Sequence, residues 1–378
     1  MNVLKTAVTG MGFIGRQHAE AVRRVPNVKI TAVSDPDPSV GNWCEENGIP
    51  NYYADYREML AKEDIDVVHN CSPNHLHFEI NKAAIEHGCH IYSEKPLTLR
   101  SSEAEELTEM AAKRGVRSAV NFNYRNNVMV HEMKGRFAEG RLGRTSHIQA
   151  EYLQDWLLYE TDFDWRIRKE IGGDSRAAGD IGSHCFDAVQ FITGKKITSV
   201  YARYFTLYPE RKQYKGGGTF AEGPKEGRAG IVPVETEDAA SILFQMEDGM
   251  QGTLVISQVC AGKKNGMKIL ISGNKESVEW EQERPDRLLI GKRDSANEIL
   301  YADRKYLTEY ARVNAVLPNG HPAGWTDALA NALKDFYHSI QEPGSTYRYA
   351  DFAQGYYVTK IVEACYESNL KNCWIDIE

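Results

Sequence analysis

The chain has 378 residues, 42% of them hydrophobic, and a formal net charge of −8. That length accommodates two domains with a sizeable core, and an acidic balance without any basic run excludes a nucleic-acid surface. No apolar run approaches the ~20 residues that span a bilayer, which excludes a membrane helix. The first residues lead straight into a strand, with no charged leader or apolar signal core. Seven cysteines (Cys44, Cys71, Cys89, Cys185, Cys260, Cys365, Cys373) form no C-x-x-C pair. They read as reduced core thiols, so a cytoplasmic location is expected.

The first third alternates strand-like and helix-like runs. Strands are predicted at 4–9, 29–34, 67–70, 90–93 and 118–121, and helices at 13–24, 38–47, 56–61, 76–87 and 102–113. This βαβ rhythm is that of an α/β domain with an open, doubly wound parallel sheet. Between the first strand and the first helix stands Gly10-Met11-Gly12-Phe13-Ile14-Gly15. Chance alone yields about 0.2 matches to such a glycine pattern in a chain of this composition, so its context has to support it. A helix start offers unpaired N–H groups and a partial positive charge to a pyrophosphate. Gly10 permits the tight turn, Gly12 the close approach of the phosphates, and Gly15 close helix–strand packing.

The second strand ends at Asp35, about 20 residues after Gly15, where an acid binds the adenosine ribose diol and repels a 2′-phosphate. NAD is therefore the expected cofactor in preference to NADP. The alternative is a Gly-rich turn with no ligand. Ligands of such sheets bind beyond the carboxyl ends of the strands. Residues with chemistry cluster there: Ser72, Asn74 and His75 after one strand, Glu94 and Lys95 after the next, Tyr124 and Arg125 after the last.

The rhythm changes after about residue 123. A helix is predicted at 127–139, then strands at 145–153, 198–208, 239–246, 250–259, 267–272, 277–281 and 287–291, and late helices at 324–339 and 350–368. Turn signals such as Glu247-Asp248-Gly249 and Gly273-Asn274 fit antiparallel hairpins. The expectation is an α+β domain with a large, mainly antiparallel open sheet, and a division into residues 1–122 and 123–378. Residues 216–230, rich in Gly, Lys and Glu, are expected to form a mobile loop.

Within Gly179-Asp180-Ile181-Gly182-Ser183-His184, the Asp180 and His184 side chains are four apart and share one face of a helix starting there. A histidine beside a carboxylate titrates near neutrality and can move a proton; a structural pair at a helix start is the alternative. An ammonium at Lys95 can stabilise alkoxide character as hydride leaves a carbon; a surface lysine paired with Glu94 is the alternative. Neither His75/His77 nor Asp180/His184 has further ligands at a recognisable spacing, so no metal is expected. Trp156, Trp165 and Arg166 lie in a stretch that mixes aromatics with charges, suited to stacking on sugar rings and gripping hydroxyls. Both tryptophans equally fit a core.

Together these features resemble the Gfo/Idh/MocA family of sugar and cyclitol oxidoreductases, over essentially the whole chain. The matching residues are Gly10, Gly12, Gly15 and His18, Asp35, Pro73-Asn74 with His77, Glu94-Lys95-Pro96, and Gly179 to His184 with Asp187. The resemblance implies an N-terminal Rossmann domain, and a C-terminal domain whose open sheet builds a homodimer or homotetramer. It implies that Lys95 holds the reacting hydroxyl, that His184 is the general acid/base, and that Asp180 orients the substrate or the histidine. Gly10, Gly12, Phe13, Ile14, Gly15, Asp35, Ser72, Asn74, His75, Glu94 and Lys95 then form the cofactor set. Tyr124, Arg125, Trp156, Trp165, Arg166 and His184 are then the substrate set. His18 packs under the glycine turn or contacts ligand, and His77 packs or caps the helix after Pro73.

The implied activity is hydride transfer between NAD and a secondary hydroxyl of a sugar, anhydrosugar, glycoside or inositol. A redox glycosidase, which oxidises a ring carbon transiently and eliminates the aglycone, is the second reading. A non-catalytic sensor of sugar or NAD is the third. Relatives that lose catalysis tend to lose the lysine or the histidine, and both are present here.

Overall fold

The computed structural model describes residues 3–215 and 226–378. Its residues divide into two compact units, one made of residues up to Asn126 with Trp325–Thr359, the other of Asn127–Gly324 with Lys360–Glu378.

The first unit holds strands β1 (Leu4–Thr9), β2 (Val28–Ser34), β3 (Asn51–Tyr53), β4 (Val67–Asn70), β5 (His90–Ser93) and β6 (Ser118–Val120). They pair in the order 6-5-4-1-2-3, all parallel, and the short strand Ala350–Asp351 adds antiparallel to β6. This is the doubly wound order, with its switch point between β1 and β4. Val67 to Asn70 and Thr6 to Thr9 are all buried, as strands covered on both faces must be. Helices α1 (Phe13–Val22), α2 (Ser39–Glu46), α3 (Tyr56–Lys62), α4 (His77–Glu86) and α5 (Ser101–Arg114) form the connections. The strand ends are level. Gly10 N–H donates to the Ser34 carbonyl at 2.8 Å, Cys71 to Thr9 at 2.7 Å, Glu94 to Asn70 at 2.8 Å and Asn121 to Ser93 at 2.8 Å. Each ladder thus runs one residue past its strand and presents the next side chains at a common edge.

The expected division at residue 122 is corrected in one respect. The helix Trp325–Gln341 packs with the first unit, because its apolar face meets the parallel sheet. Leu329, Leu333, Phe336 and Tyr337 share one core with Val67, Tyr92 and Ala119. Leu333 and Phe336 have no exposed surface, and each contributes roughly 2 kcal/mol through burial alone.

The second unit carries β7 (Thr145–Leu153), β8 (Ile197–Phe205), β9 (Glu210–Lys215), β10 (Glu226–Pro233), β11 (Ala239–Met246), β12 (Gln251–Ser257), β13 (Gly266–Gly273), β14 (Ser277–Glu281), β15 (Arg287–Gly291) and β16 (Glu298–Tyr301). The large sheet runs 16-15-14-13-7-12-11-8, and Ile375–Asp376 extends it beyond β8. Every described pairing is antiparallel except β7 with β12. In β11 the buried side chains are Ala240, Ile242, Phe244 and Met246, and exposed ones alternate with them. That alternation marks a sheet with one covered face. The helices α6 (Val128–Ala138) and Ser183–Thr193 pack on each other, and the latter lies against β7 and β13.

Of the loop expected at 216–230, residues 216–225 lie outside the described residues. The remainder enters β10, which pairs antiparallel with β9. The helix predicted from 350 begins instead at Phe352, after the short strand Ala350–Asp351. All seven cysteines are free thiols. Among the described residues no helix is long and apolar enough to cross a membrane.

A polypeptide of residues 1–126 alone leaves the Val67–Tyr92–Ala119 face uncovered, so it is expected not to melt cooperatively by circular dichroism. Joining 325–359 to it should restore a cooperative transition. A cooperative melt of residues 1–126 by themselves would contradict this assignment.

Candidate active site

In the first unit the glycine turn is dictated by space. Gly10 has φ +86°, and a Cβ there would sit 2.6 Å from the Cys71 carbonyl oxygen. A Cβ on Gly15 would collide with the Gly10 carbonyl oxygen, whereas one on Gly12 would meet nothing within 4 Å. Gly10 and Gly15 therefore close the turn and Gly12 opens it. Helix α1 starts at Phe13 with no side-chain cap, and a helix start directs N–H groups and a partial positive charge toward an anion. Phe13 is exposed beside this opening, its ring 6.3 Å from that of Trp325. Asp35 Oδ2 accepts the Met11 N–H at 2.6 Å and Oδ1 accepts the Asp37 N–H at 2.9 Å. Each oxygen keeps a lone pair for a diol. This cradle fits a dinucleotide.

The next strand ends carry the other expected cofactor residues. Ser72 Oγ donates to Asn70 Oδ1 at 2.6 Å. Asn74 is buried and His75 exposed, in the short 3-10 turn Asn74–Leu76. His77 is fully buried, with Nδ1 2.7 Å from the Pro96 carbonyl and Nε2 2.9 Å from the Ser72 carbonyl. It ties the Ser72 loop to the segment after Lys95.

Glu94 is nearly buried. Its Oε1 accepts from Asn121 Nδ2 at 2.6 Å and lies 3.0 Å from His18 Nε2; its Oε2 accepts the Lys95 N–H at 3.1 Å. Burial alone would push this carboxyl up. The hydrogen bond and charge of His18, then the charge of Lys95 and the Asn121 amide, outweigh burial and bring its pKa down to about 2. His18 has no exposed surface, so it belongs under the turn. Lys95 is half-buried. Tyr124 and Arg125 are both buried, and Arg125 donates to Gln354 Oε1 at 2.9 Å.

In the second unit, Asp180 and His184 are joined by a π-turn, Ala178–Gly182, leading into the helix Ser183–Thr193. The expected simple α-helical start is thus widened by one residue per turn, a local geometry frequent at functional sites. Asp180 Oδ2 accepts from Gln258 Nε2 at 2.8 Å, and Oδ1 lies 3.6 Å from Arg166 Nε. Arg166 also donates to Asp164 at 3.1 Å and stacks over Trp165, its guanidinium carbon 4.2 Å from the ring centroid. The Tyr152 ring is 6.2 Å from that of His184. Tyr152 O–H donates to Asn265 Oδ1 at 2.5 Å, and Trp156 Nε1 donates to Gln154 Oε1 at 3.0 Å. Trp156 also packs against Leu157, Ile167 and Val234, so it serves a small core.

Gln154 and Gln258 follow directly on β7 and β12, the parallel pair, and Gln154 N–H bonds the Ser257 carbonyl at 2.7 Å. Tyr152, Gln258 and Asn265 were not among the expected site residues. Gln258 had a signal. Gly252, Leu254 and Ile256 form the buried row of β12, and a glutamine continues it at 258. A polar group at a core position needs a partner, and here the partner is Asp180. Among the described residues there is no group of three or more His, Cys, Asp or Glu that could hold a metal ion.

Residues 4–122 match the oxidoreductase family with an NAD-binding Rossmann fold, and residues 130–279 match the GFO/IDH/MocA C-terminal domain. Over 100% of its length the chain is 30% identical to the levoglucosan dehydrogenase of Pseudarthrobacter phenanthrenivorans, spanning 99% of that protein. It is 29% identical to the D-glucoside 3-dehydrogenase of Escherichia coli over 53% of this chain and 58% of that one. A solved levoglucosan dehydrogenase in complex with NADH and L-sorbose is similar with a TM-score of 0.89 at 27% identity, over 100% of both chains.

The buried groups predict how stability responds to acid. Burial holds His69 and His77 below the ordinary pKa of 6.5, with the charge of His18 adding at His69 and the two carbonyls opposing at His77. The unfolded chain takes up protons there that the native protein refuses. This stability is complete above about pH 6.5 and is lost as pH falls below it. Glu94, at about 2 against an ordinary 4.5, adds stability that is present above pH 4.5 and lost as pH falls toward 2. The thermal midpoint should therefore change little from pH 8 to 7 and fall steadily below 6.5. A midpoint that rises on acidification from pH 7 to 5 would contradict these placements.

Proposed function

The chain belongs to the Gfo/Idh/MocA family of NAD-binding oxidoreductases, and from that premise we propose an NAD-dependent dehydrogenase acting on a secondary hydroxyl of a sugar, anhydrosugar, glycoside or inositol. One observation carries the reading. Asp180, held by Gln258 and faced by Arg166, stands one π-turn before His184 in a chain that also has an open dinucleotide cradle at Gly12. The whole-length similarity to a levoglucosan dehydrogenase supports a polyhydroxylated substrate.

In this reading the Lys95 ammonium donates to the substrate oxygen and stabilises alkoxide character. His184 takes the hydroxyl proton as general base and returns it in the reverse direction. Asp180, its carboxylate oriented by Gln258, aligns His184 or a substrate hydroxyl. The stacked Arg166–Trp165 pair offers an aromatic face and donors to a sugar ring. NAD, when bound, supplies the acceptor for the hydride that leaves the carbon. Asp35 favours a free 2′-hydroxyl over a 2′-phosphate by charge, and hence NAD over NADP.

The outward face of the large sheet exposes Leu243, Val255 and Leu289, which supports a homo-oligomer contact there. Free thiols fit a reducing, cytoplasmic setting.

Absorbance of NADH is the test, with NAD or NADP and a panel of inositols, aldoses, anhydrosugars and glycosides. Turnover is expected with NAD above NADP. Lys95→Ala and His184→Ala should each lower kcat by about 10²- to 10⁴-fold while NADH binding persists. Full turnover by Lys95→Ala would overturn the mechanism. Aglycone release with a flat absorbance trace would move the assignment to the redox glycosidase.

A further inference from the structure

Beneath the glycine turn runs a chain of polar side chains that the proposed chemistry does not use. Thr6 Oγ1 lies 2.8 Å from the Tyr337 hydroxyl, which lies 2.8 Å from His69 Nε2. His69 Nδ1 lies 2.9 Å from His18 Nδ1, and His18 Nε2 lies 3.0 Å from Glu94 Oε1. Thr6, His18, His69 and Tyr337 have no exposed surface, so water cannot substitute for a missing link. The carboxylate at the end of the chain accepts the Lys95 N–H through its other oxygen. We propose that Tyr337, acting through His69 and His18, is a positioning residue that orients Glu94 and with it the Lys95 backbone. This rests on the reading of Lys95 as the lysine that meets the substrate hydroxyl.

The argument is one of donors and acceptors. Two imidazole Nδ1 atoms face each other, so one must carry the hydrogen and the other must not. With a hydrogen on Nε2 alone, His18 accepts at Nδ1 and His69 donates from Nδ1; with hydrogens on both nitrogens, His18 donates at Nδ1 and His69 accepts. His69 Nε2 correspondingly accepts from the Tyr337 hydroxyl or donates to its oxygen, and Thr6 Oγ1 completes the Tyr337 hydroxyl in either case. Every link is satisfied, and the direction of each depends on its neighbour. Removing the Tyr337 oxygen leaves His69 Nε2 without its partner in a dry core. If His69 then moves its hydrogen to the other ring nitrogen, the facing Nδ1 atoms no longer match as donor and acceptor, and the disturbance reaches Glu94. Burial, which holds His69 neutral, keeps the relay from being replaced by a charged alternative at that ring.

Tyr349 supplies the matched comparison. It packs against the same Phe336 ring, is equally buried, and its hydroxyl faces Ser339 at 3.2 Å rather than the relay. Tyr337→Phe should lower kcat about tenfold, as expected for one unsatisfied buried group, with the KM for NAD changed less than about twofold. Tyr349→Phe should leave kcat unchanged even if it melts earlier. In the protein without substrate, Tyr337→Phe should also shift the ring-nitrogen resonances of His18 and the amide resonance of Lys95, neither of which Tyr337 touches. Equal losses of kcat in both variants, or unmoved His18 and Lys95 resonances, would overturn the relay. If the wild-type protein turns over no polyol, the reading of Lys95 fails, and the resonances alone decide whether the relay exists.

Discussion

Glu94 is where the first unit is held together chemically. A carboxylate this deeply buried is tolerated only when donors replace its water. Here the donors arrive from His18 on α1, Asn121 after β6 and the Lys95 backbone N–H, and Tyr92 O–H in turn steadies Asn121 at 3.0 Å. Removing one partner of such a group typically costs about 3–5 kcal/mol. The ends of two neighbouring strands, β5 and β6, and the first helix are therefore locked to one point. The glycine turn and Lys95 flank that point, so cradle and lysine share a single rigid support.

The second unit solves a comparable problem with different means. Its sheet is antiparallel except where β7 and β12 run together, and Gln258, which follows β12, bonds Asp180. Side chains leaving parallel neighbours point the same way, which lets Gln154 and Gln258 emerge at one edge. Arg166 is steadied by Asp164 and Trp165 before it approaches Asp180. A guanidinium fixed in this way loses less freedom when it meets a hydroxyl.

What could be read in the sequence was what is local. The glycine turn, the acid at Asp35 and the four-residue spacing of Asp180 and His184 each span a short stretch, and that spacing is read directly from the chain. The doubly wound order followed from the alternation of strands and helices. The relay through His69 and Tyr337 was not legible, because its members come from β1, α1, β4 and a late helix. Nor could the pattern of the Trp325–Gln341 helix reveal which sheet its apolar face would cover. An amphipathic stripe specifies burial, not the partner. Gln258 lay between these cases: its place in the apolar row of β12 was visible, but the Asp180 carboxylate that justifies it was far along the chain. Arg125 was singled out for its position after a strand; the Gln354 side chain and Arg348 carbonyl that its guanidinium reaches lie far along the chain and were not legible.

The central claim is that this protein moves hydride from a carbon of a polyhydroxylated substrate to NAD. Mass spectrometry of the nucleotide formed from carbon-deuterated inositols and glycosides tests it most directly. The account predicts one deuterium in the reduced nicotinamide for each ketone produced. Ketone without deuterated nucleotide, or substrate consumed with no reduced nucleotide at all, would contradict it.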